Sequence, residues 1–303
     1  MFITITLNPA VDTFIDIESL EKSVQSKVIK KTKIAGGKGI NISKVLTSLN
    51  EKTFVIGFVG GPNGKFIKKE LSHQNIDFKL IQISQETREN IKLYDMKHDQ
   101  RYEINEPGPF VDIIHLEELI GYLKSIIKSN DVIIISGSAP INYDIDVYKV
   151  LINQLKPLCK MIALDTSKQW FKEGLTAAPD LIKPNLYELE NYSNKNLDND
   201  QEIIDEALKI ITLGVKEVLV SLGKSGSIYV TKDDIYKIMV PDIKVKNTVG
   251  AGDALLAGFL AAKFNKPLKE ALIEAAYTSL AHISDEKSLV GVKEQIEVIT
   301  LKR

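Results

Sequence analysis

Five short apolar runs, rich in β-branched residues, constrain this chain more than any other feature. They are 2–7 (FITITL), 53–59 (TFVIGFV), 131–136 (DVIIIS), 161–165 (MIALD) and 217–223 (EVLVSLG). A strand with hardly any polar face is buried on both sides. Between the runs, apolar residues recur at helical spacing over 39–50, 62–75, 115–128, 143–156, 201–213 and 267–282. Such alternation predicts a mostly parallel sheet flanked by helices and joined by right-handed crossovers. A length of 303 residues suits one α/β core of this kind.

Two segments break the rhythm. Residues 9–36 and 88–107 read as extended, with polar and apolar positions mixed (FIDI, KVIKKTKIA, IKLYDMKHDQRYEIN). They predict half-exposed antiparallel strands, with KHDQ at 97–100 as a hairpin turn. A small β element standing off the main sheet, a lid, is the natural reading. Residues 191–202 are polar and Asn-rich and read as a surface loop leading into a helix.

Composition excludes several classes. Net charge is −1, so no basic footprint for nucleic acid exists. Cys159 is the only cysteine, which forbids an internal disulfide and any cysteine-based metal site. No apolar run approaches the ~18 residues of a membrane span. The first residues, MFITITLNPAVD, lack a cationic leader and a long apolar segment. A cytoplasmic location is expected.

The chemistry concentrates in NTVGAGDALLAGFLAA, residues 247–262. IYKIMVPDIKVKNTV before it reads as strand, and Leu255, Leu256, Phe259 and Leu260 after it fall at helical spacing. Gly250, Ala251 and Gly252 therefore sit where a helix begins. Glycine lets consecutive amides aim at one point, and the helix start adds orphan donors and partial positive charge. The result suits an anion or charge developing during a reaction. Asp253 beside it can take a proton from a hydroxyl, although aspartate and glycine at a helix start also serve plain capping. A second cluster, IAGGKGINISKVL (34–46), also opens a helix, with Lys38 and Asn41 as polar groups. Neither cluster is a P-loop or a dinucleotide fingerprint: Phe66 follows Gly64-Lys65, Val218 stands upstream of Gly223-Lys224-Ser225 where glycine is required, and Leu255 replaces the third dinucleotide glycine.

With both clusters in place, the sequence resembles the ribokinase-like (PfkB) family of carbohydrate kinases. AGGKGINISKVL is similar to its N-terminal signature and NTVGAGDALLAGF to its C-terminal one. TLNPAVD, GFVGGPNGKFI, TRENIKL, EINEPGP, SGSAP, IKPNLYELE and VSLGKSGS resemble its phosphosugar branch. The resemblance implies a three-layer α/β/α fold with eight or nine mostly parallel central strands and a small β-sheet lid, all within one domain spanning 1–303. It implies transfer of the γ-phosphoryl of ATP, with Mg²⁺, to a phosphorylated ketohexose. NIKL and EIN tilt the reading to fructose 1-phosphate; tagatose 6-phosphate and fructose 6-phosphate are the alternatives, and a non-catalytic sugar-phosphate sensor is a remote one.

Residue by residue, the resemblance makes Asp253 the catalytic base and the amides of Gly250, Ala251 and Gly252 the anion hole. It gives Asp12, Gly37, Lys38 and Asn41 to the sugar. Lys38 and Arg88 go to the phosphate that the sugar already carries, with Asn90 and Ser138 as supporting hydrogen-bonders. On the nucleotide side fall Lys183, Asn185, Ser221, Gly223, Gly226 and Thr248, with Asn185 and Glu188 also organising the metal. Asn185 and Glu188 equally suit a helix cap. Two places depart from the family pattern: Ala254 follows the base, and SLAHISDEKSLVGV (279–292) lacks the usual small-residue segment, so neither adenine nor a monovalent cation is assigned there. His73, His98, His115 and His282 lie outside every motif and read as surface or structural. Relatives often pair through their lids, which implies a homodimer.

Overall fold

The computed structural model describes residues 1–22, 24–143, 146–285 and 289–301. The chain forms, in order, β1 (Phe2–Thr6), β2 (Ala10–Ile17), β3 (Val28–Gly36), α1 (Lys38–Ser48), β4 (Thr53–Val59), α2 (Gly61–His73), β5 (Asp77–Gln82), β6 (Glu89–Asp95), β7 (Gln100–Asn105) and α3 (Ile113–Ile126). Then follow β8 (Val132–Ser136), α4 (Val147–Leu155), β9 (Met161–Asp165), α5 (Lys168–Leu175), β10 (Leu181–Ile182), α6 (Leu186–Ser193) and α7 (Asp200–Thr212). Last come β11 (Glu217–Ser221), β12 (Ser227–Thr231), β13 (Ile235–Met239), α8 (Ala251–Lys263), α9 (Leu268–Ile283) and β14 (Glu297–Thr300).

Ten strands make the main sheet, in the order β5-β4-β1-β8-β9-β10-β11-β12-β13-β14. Pairing is parallel from β5 to β11 and antiparallel from β11 to β14. The sheet is thus larger than the eight or nine strands expected, because three short antiparallel strands extend one edge. The apolar runs behave as their composition requires. Ile3, Ile5, Ile133, Ile135, Ile162 and Leu164 pack on one face beneath α3–α7. Phe2, Val132, Ile134, Met161 and Ala163 pack on the other, against α1, α8 and α9, while α2 covers Val55, Val59 and Leu80.

The off-rhythm segments form a second sheet of four strands, β3-β2-β6-β7. The hairpin turn between β6 and β7 is 96–99, one residue earlier than expected, because Gln100 already pairs with Asp95. The central pair, β2 with β6, is parallel rather than antiparallel. Between those two strands the chain returns to the main sheet for α1, β4, α2 and β5, and so re-enters the small sheet in the same direction.

Three sequence expectations are corrected. The strand expected up to Val249 ends at Met239, since residues 240–244 find no ladder partner and Val245 makes only an isolated bridge to Ser284. The helix expected from 143 begins at Val147, with 144–145 outside the described residues. The strand expected to reach Gly223 ends at Ser221, and Gly223 opens a 3₁₀ turn.

Candidate active site

The carboxyl ends of the parallel strands open into one crevice, the place where open α/β sheets bind ligands. A cavity of about 700 Å³ occupies it, roofed by the small sheet. The starts of α1 and α8 meet there. Gly37 precedes α1 with φ 111°, and Gly250 precedes α8 with φ 83°. The left-handed turn at Gly250 swings the chain so that the first turn of α8 borders the cavity. A side chain at Gly250 would also collide with His282 Nε2, 2.6 Å from an added Cβ. His282, expected to be merely surface or structural, therefore rests against the glycine loop. The amide of Ala251 donates to Thr248 O at 3.2 Å and so helps to close the turn.

Asp253 lies in the first turn of α8 and is 7% exposed. Asn41, one turn into α1, donates to its Oδ2 at 2.8 Å. Burial and the nearby Asp165 push the Asp253 carboxyl up to about 6, against the pull of Lys38, Asn41 and Lys183. A base poised close to neutrality suits proton abstraction from an alcohol.

Lys183, 3% exposed, lies beside the glycine loop: a Cβ at Gly252 would stand 3.1 Å from its Nζ. Lys183 Nζ is 3.4 Å from Asp165 Oδ1, and Lys38 Nζ is 2.9 Å from the same oxygen. Asp165 ends β9 and is fully buried. Burial alone would raise its pKa, but Lys183 and Lys38 hold it below the usual carboxylate value. Burial would likewise lower the pKa of Lys38, yet Asp165, Asp253 and Glu188 hold it above its ordinary value. Lys38 and Asp165 thus stay ionised together.

Asn185 and Glu188 form a reciprocal capping box at the start of α6: Glu188 N donates to Asn185 Oδ1 at 2.8 Å, and Asn185 N donates to Glu188 Oε2 at 2.9 Å. Glu188 Oε1 remains 3.9 Å from Lys38 Nζ. Among the described residues no cluster of three or more His, Cys, Asp or Glu could cage a metal. Asp165 Oδ2 is among the buried oxygens with no partner in the described residues. That donor set fits Mg²⁺, which takes one or two carboxylates, keeps waters and leans on substrate phosphates. Asp165 and Glu188 are the carboxylates that would serve it, through its waters, since of the candidates only Asn185 lines the cavity.

At the other end stand the residues of the small sheet. Asn90 donates to Asp12 Oδ1 at 2.9 Å, and Asp12 Oδ2 fills the space above Gly36, where a Cβ would lie only 2.2 Å away. Arg88 spends Nε and Nη2 on Asn8 O (3.2 and 3.0 Å) and Nη1 on Glu106 O (3.1 Å). Asn8 in turn donates to Ser138 Oγ at 3.2 Å. Thr6, Asn8 and Asn90 line the cavity, and Thr6 Oγ1, Asn8 Oδ1 and Asn90 Oδ1 are buried without partners among the described residues.

Most residues expected from the sequence therefore meet around one cavity: Asp12, Gly37, Lys38, Asn41, Arg88, Asn90 and Ser138, together with Lys183, Asn185, Ser221, Thr248 and Gly250–Asp253. Gly223 and Gly226 line an adjoining cavity of about 370 Å³, which shares Ser221, Thr248 and Gly252 with the first. There Gly226 also lets β13 pass, since a Cβ would meet Ile238 O at 1.9 Å. Glu188 lines neither cavity and reaches the site only through Lys38. Asp165, Asn8 and Thr6 escaped sequence reasoning. For Asp165 the one signal is its place at the carboxyl end of an apolar strand.

The pfkB family carbohydrate kinase profile matches residues 5–290. The chain belongs to that family. It is a carbohydrate kinase, a phosphotransferase with an alcohol acceptor and ATP as co-substrate. A 1-phosphofructokinase of Borreliella burgdorferi is 34% identical over 261 residues, 86% of this chain and 84% of that protein. A tagatose-6-phosphate kinase of Staphylococcus epidermidis is 31% identical over 311 residues, covering 99% of each. A crystal structure from Staphylococcus aureus aligns with a TM-score of 0.85 at 32% identity, over 100% of this chain and 99% of the other. Phosphofructokinase-2 from Escherichia coli in complex with fructose-6-phosphate aligns at 0.86 and 22% identity, over 97% and 98%, a likeness that speaks for the ribokinase-like fold alone.

Proposed function

We propose that this kinase phosphorylates a ketohexose that already carries a phosphate, fructose 1-phosphate first of all, giving fructose 1,6-bisphosphate and ADP. The observation that carries the reading is the two-ended cavity. One end holds Asp253 at a helix start beside paired lysines. The other holds Asp12, Asn90 and Arg88 at the small sheet.

In this reading Asp12 and Asn90 bind sugar hydroxyls and set the acceptor hydroxyl against Asp253. Asp253 takes that proton as the oxygen attacks the γ-phosphorus in line. The amides at the start of α8 and the Lys183 ammonium hold the charge on the moving phosphoryl group. Positioning and electrostatics supply the acceleration, as phosphoryl transfer requires. Bound Mg²⁺ would add charge neutralisation on the nucleotide phosphates, and Asp165 and Glu188 are the carboxylates that would serve it. The small sheet acts as a lid that excludes water and so limits idle ATP hydrolysis.

The whole chain works as one kinase domain in the cytoplasm, and two copies pair through the outer face of the lid. No helix among the described residues is long and apolar enough to cross a membrane. Tagatose 6-phosphate is the second reading, favoured by the kinase of that name at 31% identity. ADP release measured over fructose 1-phosphate, tagatose 6-phosphate, fructose 6-phosphate and the unphosphorylated sugars tests the assignment. Highest kcat/KM with fructose 1-phosphate is expected. Preference for tagatose 6-phosphate transfers the assignment to that sugar, and turnover of unphosphorylated sugars alone contradicts the phosphosugar reading.

A further inference from the structure

We propose that Lys92 is a phosphate-binding residue of the sugar site and, with Arg88, holds the phosphate that the acceptor brings in; this rests on the phosphosugar reading above.

The cations of the cavity divide by their partners. Lys38 and Lys183 are both committed to Asp165. Lys168 is exposed at the rim. Lys92, half-buried on β6, lines the cavity as well. Among the described residues no carboxylate lies within ion-pair distance of its ammonium. Its contact is with the Phe14 ring, 5.4 Å from Nζ to the centroid.

Strand geometry aims the side chain. Alternate residues of a strand share a face, so Asn90 and Lys92 point the same way. Asn90 points at Asp12 inside the cavity. In the ladder Asp12 stands opposite Asn90, and Phe14 opposite Lys92. Lys92 is therefore the next inward step along β6 from the sugar-hydroxyl pair. Arg88 lies two residues before Asn90, at the other side of that pair. Both side chains are long enough to converge on a group held over Asn90.

Charge separates the two ends. Around the start of α8, Asp165, Asp253 and Glu188 face Lys38 and Lys183, so both lysines of that end are already paired with carboxylates. Under the lid, Asp12 faces Arg88 and Lys92, and Glu103 stands opposite Lys92 in the β6–β7 ladder without coming within ion-pair distance of its ammonium. A half-buried ammonium with no ion pair is costly unless an anion fills the space beside it. A phosphate on the acceptor is the anion that the proposed reaction places there. Arg88 offers a planar fork and Lys92 a compact charge. Lys38, by contrast, belongs to the nucleotide end.

The test compares wild type, Lys92→Met and Lys92→Arg on the phosphosugar that the wild-type enzyme prefers and on its unphosphorylated parent. It follows ADP release, and calorimetric binding of the phosphosugar without nucleotide. Lys92→Met is expected to raise KM and Kd for the phosphosugar about 10- to 100-fold, the worth of a charge-assisted hydrogen bond. Its kcat and its KM for ATP should change less than about threefold, as for a group used equally in ground and transition states. Preference over the unphosphorylated parent should fall by the same factor, and Lys92→Arg should restore most of it. Unchanged KM and Kd in Lys92→Met overturn the assignment, as does a loss confined to kcat or to KM for ATP. A wild-type protein that binds and turns over only unphosphorylated sugars overturns the phosphosugar reading and this one with it. Normal phosphosugar turnover with an indifferent Lys92→Met overturns this one alone.

Discussion

Asp253 and Asp165 are two buried carboxylates in one crevice with opposite fates. Asp165 touches two lysines and is held ionised, whereas Asp253 has only the amide of Asn41 as a direct partner and is pushed up to about 6. The sign for activity follows. As the proposed base, Asp253 works only when ionised, so kcat/KM should rise with pH through about 6 and level off above it, falling about tenfold per unit on the acid side. An initial-rate pH profile checks this. A plateau extending down to the ordinary aspartate range near 4 contradicts the assigned environment. Asp253 was legible in the sequence because its signal is local: small residues, a carboxylate and a helical pattern in one stretch. Asp165 was not, because its role exists only once Lys38 on α1 and Lys183 after β10 arrive beside the end of β9. Asn8 and Thr6 were hidden for the same reason.

Among elements, the doubly buried strands were the easiest to read, since a continuous β-branched run has few other uses. The antiparallel edge, β12–β14, is built of short strands with mixed faces, and β10 has two residues, too few for any period. Residues 240–249 look like strand and are not, because no neighbouring strand runs beside them. The lid was legible as a break in rhythm, though its parallel central pair depends on where the chain goes between β2 and β6. One buried carboxylate pins its far end. Asp95 accepts from the Leu20, Lys97 and His98 amides and from His98 Nδ1. Burial alone would raise the Asp95 pKa, but the bonds from His98 and Leu20 hold it down at about 2. A lowered carboxylate stabilises above its unfolded value near 4 and loses that contribution as pH falls toward 2. Asp95→Ala should therefore loosen the hairpin without unfolding the core. Hydrogen exchange should quicken at residues 18–20 and 96–98 while β1 and β8 keep their protection, and KM for the sugar should rise. Unaltered exchange in the hairpin contradicts this role.

At the scale of the whole molecule, the lid has two faces with different work. Its inner face carries Asp12, Asn90 and Lys92. The opposite face carries Ile15, Ile91, Leu93, Tyr102 and Ile104, with Ile104 58% exposed. An exposed apolar sheet face next to a free edge is a docking surface. Ile104→Asp should convert a dimer to monomers in light scattering and raise KM for the sugar, since an unsupported lid closes less well. A chain that is monomeric before the substitution contradicts lid pairing. In the proposed mechanism one carboxylate and one helix start meet two substrates, and a single substitution probes that arrangement. ADP formation by Asp253→Asn at pH 8 with saturating phosphosugar should fall by a factor of about 10²–10⁴, while the Kd for ATP stays within about threefold of wild type. A kcat within tenfold of wild type would show that the proton leaves by another route.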